Sequence, residues 1–223
     1  MSRVQEFVGF SERLPVFLRE LERNNSREWF QSHRDEYRDC VARPLQALAK
    51  FVSPDVWARD KSLVMKMSRP NRDIRFAKDK SPYRTEMWFA FRQDQPDWAS
   101  YPAFFFEVTP QHCRWGMGYF SAQAATMSAL RDVVIENQKR YLTALASASK
   151  RRFSLEGEPY KKPPVPPDGM PEEIINLHRR RNAYLSRIAG YGPPVLSGEF
   201  ATVVASDFAT LGAMYGIFRM ANR

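Results

Sequence analysis

MWFAFRQDQPDWASYPAFFFEVTPQHCRWGMGYF, Met87–Phe120, is the stretch on which the fold turns. It contains three short aromatic runs, MWFAFR, FFFEV and CRWGMGYF, separated by the turn signals DQPD and TPQH. Their side chains follow a period of two rather than 3.6, and aromatic residues favour pleated, half-buried positions. A fourth run of the same kind, SLVMKMS at Ser62–Ser68, lies just upstream and ends at the turn signal RPN. Together they predict four strands in an antiparallel meander. In the last run Cys113, Trp115, Met117 and Tyr119 share one face, and Gly116 and Gly118 share the other. The glycines leave a flat patch where another element can approach the backbone, and a packed helix is the expected occupant.

On either side of this stretch the period becomes helical. Leu14, Phe17, Leu18 and Leu21 make one stripe in a helix over 12–23. Asn25 followed by Glu28 reads as a capping box opening the next helix, which carries Phe30, Tyr37, Val41, Leu45 and Leu48 and is kinked or restarted at Pro44. Downstream, Ser121 is the expected cap of a helix whose stripe is Met127, Leu130, Val134, Tyr141 and Leu145. Six prolines in PYKKPPVPPDGMP, residues 159–171, require an extended crossing loop. Lys161, Pro164 and Pro167 within it also fit a basic PxxP ligand. Pro171 opens a helix with Ile174, Leu177, Tyr184 and Ile188 on its buried side, and a last helix runs over about 197–221. Helices, then a meander, then helices is an α+β order: a four-strand, mainly antiparallel sheet flanked by N- and C-terminal helices, in one domain spanning 1–223.

Composition narrows the function classes. A hydrophobic fraction of 43% with sixteen phenylalanines excludes global disorder. No apolar run approaches the length of a membrane span, and the first residues lack a secretory h-region, so a cytoplasmic protein is expected, with Cys40 and Cys113 as ordinary reduced thiols. His33, His112 and His178 share no ligand spacing; they are expected to be exposed, with no metal site. No dinucleotide, P-loop, nucleophile-elbow or kinase fingerprint occurs, so no cofactor is expected and no reaction is named. The net charge of +9 is uneven: residues 66–84 carry seven basic and two acidic side chains, as do residues 139–162, and residues 179–187 carry four arginines and no acid. Such clustering suits an anionic partner or a merely solvated basic surface.

The densest charge lies in RDIRFAKDKSPYRT, Arg72–Thr85, where five of fourteen residues are cationic and two are aspartates. It joins the first two predicted strands and is far longer than a hairpin turn requires. Pro70-Asn71 and Ser81-Pro82 shape it at both ends. Three roles fit. As an anion cradle, Arg72, Arg75, Lys78, Lys80 and Arg84 converge on one phosphate or carboxylate and Tyr83 closes the side. As a scaffold, Asp73 and Asp79 pair with the cations and stiffen the loop. As a catalytic element, Asp73 or Asp79 serves as a general base or a metal ligand. Glu107 interrupts the Phe-rich strand and needs a cationic partner if buried, so it joins the candidates with the cationic motif as the expected source of that partner. Trp29-Phe30 reads as core or lid.

These segments resemble an uncharacterised bacterial and fungal family of conserved hypothetical proteins. Its pattern is a GF pair, NN-x-x-x-WF, RD-x-RF-x-KDK-x-PY-[KR]-T, a Phe-rich strand with Glu and Pro, GxGxY and a late Lys-Pro segment. Gly9-Phe10, Asn24, Asn25, Trp29, Phe30, Arg72, Asp73, Arg75, Phe76, Lys78, Asp79, Lys80, Pro82, Tyr83 and Thr85 carry the resemblance. Phe106, Glu107, Pro110, Gly116, Gly118 and Tyr119 extend it, and Lys161, Lys162 and Pro163 match more loosely. The resemblance implies no reaction. The expectation is therefore a small anionic ligand at the charged loop. The alternatives are weak, non-specific nucleic-acid binding, or an interaction protein whose loop is only a scaffold.

Overall fold

In a computed structural model of the protein, which describes residues 6–222, the aromatic runs are strands β1 (Leu63–Met67), β2 (Met87–Gln93), β3 (Ala103–Val108) and β4 (Cys113–Gly118). They form the antiparallel meander the turn signals predict. The sheet does not stop there. β5 (Ser154–Glu156) and β6 (Tyr184–Ala189) extend it to six antiparallel strands in the order β1-β2-β3-β4-β6-β5. The protein is α+β, but the four-strand sheet expected from the sequence is too small.

β6 explains the miscount. Leu177 and Tyr184 are seven residues apart, which imitates two helical turns. In fact the helix after Pro171 is only Glu172–His178 (α7), and Arg179–Asn182 break it before Tyr184 pairs with Gly118. β6 lies beside β4 in the plane of the sheet, with Gly116 opposite Ser186 and Gly118 opposite Tyr184. A Cβ at Gly116 would sit 1.9 Å from the Leu185 carbonyl oxygen, so the close approach of β6 excludes any side chain there.

The other helices are α1 (Arg13–Arg23), α2 (Arg27–Ser32), α3 (Arg34–Tyr37), α4 (Arg43–Trp57), α5 (Ala124–Glu136), α6 (Gln138–Lys150) and α8 (Phe200–Met220). The α1 stripe is wholly buried. Pro44 stands in the first turn of α4, so of the two expectations the fresh start fits, to within one residue, although no break in the backbone precedes it. A π turn over Arg38–Ala42 joins α3 to α4, accommodating the missing Pro44 N–H with one wider loop of backbone. The helix expected from Ser121 begins instead at Ala124 and divides at Asn137, whose side-chain amide donates to the Val133 carbonyl. The proline-rich segment links β5 to α7. It is held at its start, where Tyr160 N–H donates to the Arg179 carbonyl, and then runs exposed over the surface.

One face of the sheet carries the core. Phe89, Phe91, Phe104, Phe106, Trp115 and Met117 are fully buried beneath α8 and α4. By length and composition α8 could cross a membrane, contrary to the reading that no segment could; here more than half of it is buried inside the fold. Its Asp207 has no exposure and accepts from the Trp115 indole at 2.9 Å, Arg187 at 2.9 Å and Arg151 at 2.5 Å. A buried carboxylate needs such partners. Phe10 stacks on Phe106, and Gly9 before it has φ +109° with the Leu196 carbonyl oxygen 2.4 Å from where a Cβ would stand, so the Gly-Phe pair fits only as glycine first. His178 is buried rather than exposed. Its ring pKa is lowered by desolvation and by Arg131, whose Nε donates to the His178 carbonyl.

Candidate functional site

The charged connection between β1 and β2 is a finger with a pinned base. Ser68 N–H donates to the Trp88 carbonyl, Arg72 N–H to the Pro82 carbonyl and Arg84 N–H to the Pro70 carbonyl, each at 2.8 Å, and Asn71 pairs with Tyr83 across the neck. The two turn dipeptides therefore sit where the hairpin narrows.

Asn25 holds the finger to the helical layer. Its side-chain amide donates to the Tyr83 carbonyl and its oxygen accepts from Tyr83 N–H, both at 2.9 Å, as a strand partner would. Asn25 is thus not the helix cap. Ser26 is, accepting from Trp29 N–H. Asn24 ends α1, donating through its side chain to the Glu20 carbonyl. Tyr83 is 4% exposed and stacks on Phe30 at 4.0 Å. Trp29 packs on Phe17 and stacks against His33, so Trp29-Phe30 belongs to the packing of this corner. The NN-x-x-x-WF and RD…PYRT segments, remote in sequence, thus meet at Tyr83.

Both aspartates of the finger are engaged. Asp79 accepts from the Ser81 hydroxyl at 2.6 Å and Ser81 N–H at 2.9 Å, and pairs with Arg72. These contacts, the Ser81 hydroxyl first, hold its carboxyl well below the ordinary range. Asp73 accepts from the Arg75 side chain at 2.9 and 2.6 Å and from Arg75 N–H, which lowers its pKa too. Carboxylates held so firmly in the ionised state are poor bases near neutrality. Lys80 donates to the Ile74 carbonyl at 3.1 Å. Among the described residues, no carboxylate pairs with Lys78 or Arg84.

A polar cleft of about 360 Å³ opens between the finger and the α1–α2 corner. Glu22 and Asn25 form one wall, Arg72, Asp79 and Ser81 another, and the returning chain from Tyr83 to Trp88 the third. Of the expected cradle residues, Arg72, Tyr83 and Arg84 meet here, whereas Arg75, Lys78 and Lys80 lie outside the lining. The acids Glu22 and Glu86, which the sequence reading passed over, face the same space. A second, larger hollow of about 700 Å³ beside the proline-rich segment is lined by Tyr160, Lys161, Lys162 and the Glu158–Arg181 ion pair.

Glu107 lies on the sheet face opposite the core, between Trp88 and Arg114 in the register. Its partner is Arg114, at 3.1 Å across the β3–β4 pair, and not the cationic finger. The sequence carried that signal, because Glu107 and Arg114 fall opposite each other across the TPQH turn. Burial pushes the Glu107 pKa up, Arg114 opposes this, and Glu86 adds to it. Of the three candidate carboxylates, Glu107 is thus the one whose proton affinity is raised, where those of Asp73 and Asp79 are lowered. Among the described residues no three His, Cys, Asp or Glu side chains gather as a metal site requires.

No curated protein matches the chain in sequence. A family model described as a conserved hypothetical protein matches residues 14–216, nearly the whole length, with both motifs that meet at Tyr83 inside it. The chain therefore belongs to the conserved hypothetical protein family DUF2461.

Proposed function

We propose that the protein binds a small anionic ligand, bearing a phosphate or carboxylate, where the charged finger meets the α1–α2 corner. The observation that carries this reading is an arginine without a carboxylate partner on a shaped loop: the cation surplus belongs to the finger as a whole, while the cleft itself sets Arg72 and Arg84 against Glu22, Asp79 and Glu86. Asp73 and Asp79 are taken up by Arg75 and Arg72, and Arg84, exposed at the cleft, keeps no carboxylate partner among the described residues. An arginine fork beside a second arginine suits bidentate capture of a phosphate or carboxylate. Glu22, Glu86 and Ser81 on the same walls suit hydroxyl groups on the body of the ligand, so a phosphorylated or acidic polyol is the ligand class in view.

The test is a thermal-shift screen with phosphate, sulfate and a panel of sugar phosphates on the wild type, Arg84→Ala and Arg75→Ala. Ligand binding raises stability according to concentration and affinity. A stabilising anion whose effect is lost in Arg84→Ala and kept in Arg75→Ala supports the reading. No shift with any anion, or an equal shift in Arg84→Ala, removes it. The competing reading is a purely structural finger, which the paired aspartates and the Asn25 clamp favour. It expects large stability losses on mutation and no anion response.

A further inference from the structure

Phe76 stands at the tip of the finger and is 95% exposed. Isolated surface apolar residues are ordinary, but this one is distinctive in its setting. The exposed Phe120 leans on Trp98 at 5.6 Å, whereas Phe76 has no aromatic neighbour among the described residues. It is flanked by Arg75, Lys78 and Lys80, all exposed. The Ala77 N–H bond to the Ile74 carbonyl turns the chain there. The pinned neck and the Asn25 clamp hold the finger out from the body.

We infer that the finger tip engages single-stranded nucleic acid, with the Phe76 ring stacking between successive bases and Lys78 and Lys80 meeting the adjoining phosphates, Arg75 being held by Asp73. This rests on the anion-binding reading and names a larger partner for the same loop. Two considerations select it. A small ligand needs a concave site that covers most of its surface, and a ring at 95% exposure supplies no second wall. A nucleic-acid strand brings that wall itself, as the neighbouring base, and its phosphates recur at a spacing that two separated cations can follow. An anionic lipid surface is the other class that an aromatic residue among cations can address. There the single inserted ring is the only apolar tip residue that is fully exposed, since Ile74 and Ala77 are half-buried, and stable membrane anchoring needs more apolar area than that.

The experiment uses the full chain and fluorescence anisotropy with a labelled oligothymidylate and an abasic oligonucleotide of the same length. The variants are Phe76→Ala and Phe76→Trp, and co-sedimentation with phosphatidylserine vesicles runs in parallel. Because Phe76 packs against nothing in the core, both variants should melt as the wild type does. The expected result is that oligothymidylate binds at low salt, the abasic strand binds about tenfold more weakly, Phe76→Ala falls to the abasic level and Phe76→Trp does not. The logarithmic salt slope should be about −1.4, that of two phosphate contacts on a single strand. Equal binding of both strands, or unchanged binding by Phe76→Ala, overturns the stacking and leaves the anion reading intact. So does a response to sugar phosphates with no strand binding. Phe76-dependent vesicle binding without strand binding overturns it in favour of a lipid surface. Silence toward every anion removes both readings.

Discussion

Replacing Asn25 with alanine removes the two hydrogen bonds that hold Tyr83, and with it the finger, to the helical layer. Both Tyr83 backbone groups lose their partner in a partly buried place. An orphaned donor or acceptor there costs about 1–3 kcal/mol, with the carbonyl at the lower end because water can still reach one lone pair. Loosening the Tyr83–Phe30 stack adds up to about 1 kcal/mol. In so partly buried a place the N–H too stays near the lower end, so the loss is about 2–3 kcal/mol, and for a chain of this size each kcal/mol lowers the melting temperature by about 2–4 °C. Asn25→Ala should therefore melt about 4–12 °C below the wild type, and trypsin should cut the finger at Arg75 and Lys78 faster. Asn25→Asp provides a pH test. It keeps an acceptor for Tyr83 N–H but sets a second carboxylate oxygen against the Tyr83 carbonyl. Folding then favours the protonated acid, so the folded pKa lies above the unfolded one. Its deficit should be largest at neutral pH and shrink as the pH falls through that raised pKa. Differential scanning calorimetry across pH, with Asn24→Ala as the control that touches only the exposed end of α1, measures all of this. If Asn25→Ala melts within about 1 °C of the wild type, or Asn24→Ala costs as much, the clamp is not what positions the finger.

Asp79→Ala should lower the melting temperature more than Asp73→Ala, because Asp79 joins Arg72 at the neck to Ser81 while Asp73 serves only Arg75. Its folded pKa is depressed, so its contribution is present above the ordinary aspartate range and disappears as pH falls toward the folded value; the two Asp79 curves should converge in acid. Arg114→Leu leaves Glu107 unpaired and mostly buried, which should cost about 2–3 kcal/mol, below the full range for a buried pair because Arg114 keeps 30% exposure. That deficit should shrink on acidification, as Glu107 takes up a proton, and urea melts at neutral and mildly acidic pH would show it. The thiols of Cys40 and Cys113 are both pushed up to about 12 by burial, so neither should be alkylated by iodoacetamide in the native protein at pH 8, while both react in urea. Native modification of either would contradict the packing.

Where local pattern and tertiary packing agree, the sequence was legible. Met87–Phe120 yielded β2, β3 and β4 because aromatic alternation and turn residues act within a few positions of one another. The stripe of α1 and the facing of Trp115 and Tyr119 followed for the same reason. β5 and β6 were missed because a strand admitted beside a glycine-faced neighbour needs no strong pattern of its own; YLSRIA alternates weakly and follows a helix that stops only at an arginine run. The finger was visible as charge excess, and its neck as two turn dipeptides. That Asn25 would clasp Tyr83 was not visible, since nothing local to NNSREWF announces a partner 58 positions away. The cradle was legible as composition alone: five cations in a row of fourteen residues say nothing of which side chains turn toward one cleft, and only Arg72 and Arg84 do.

The strand order has a consequence for how the chain comes into being. β1 to β4 can pair as they emerge from the ribosome, each beside its predecessor. β4 ends at Gly118, and the strand that covers its free edge begins only at Tyr184. Until then the nascent sheet offers an open ladder of amide and carbonyl groups along β4, next to a Phe-rich face that α8, later still, must cover. Such an edge recruits whatever strand reaches it first. A ribosome stalled between β4 and β6 would hold the protein in its most self-adhesive form. Slow codons or low temperature in that interval should cost more soluble protein than the same delay placed after residue 190.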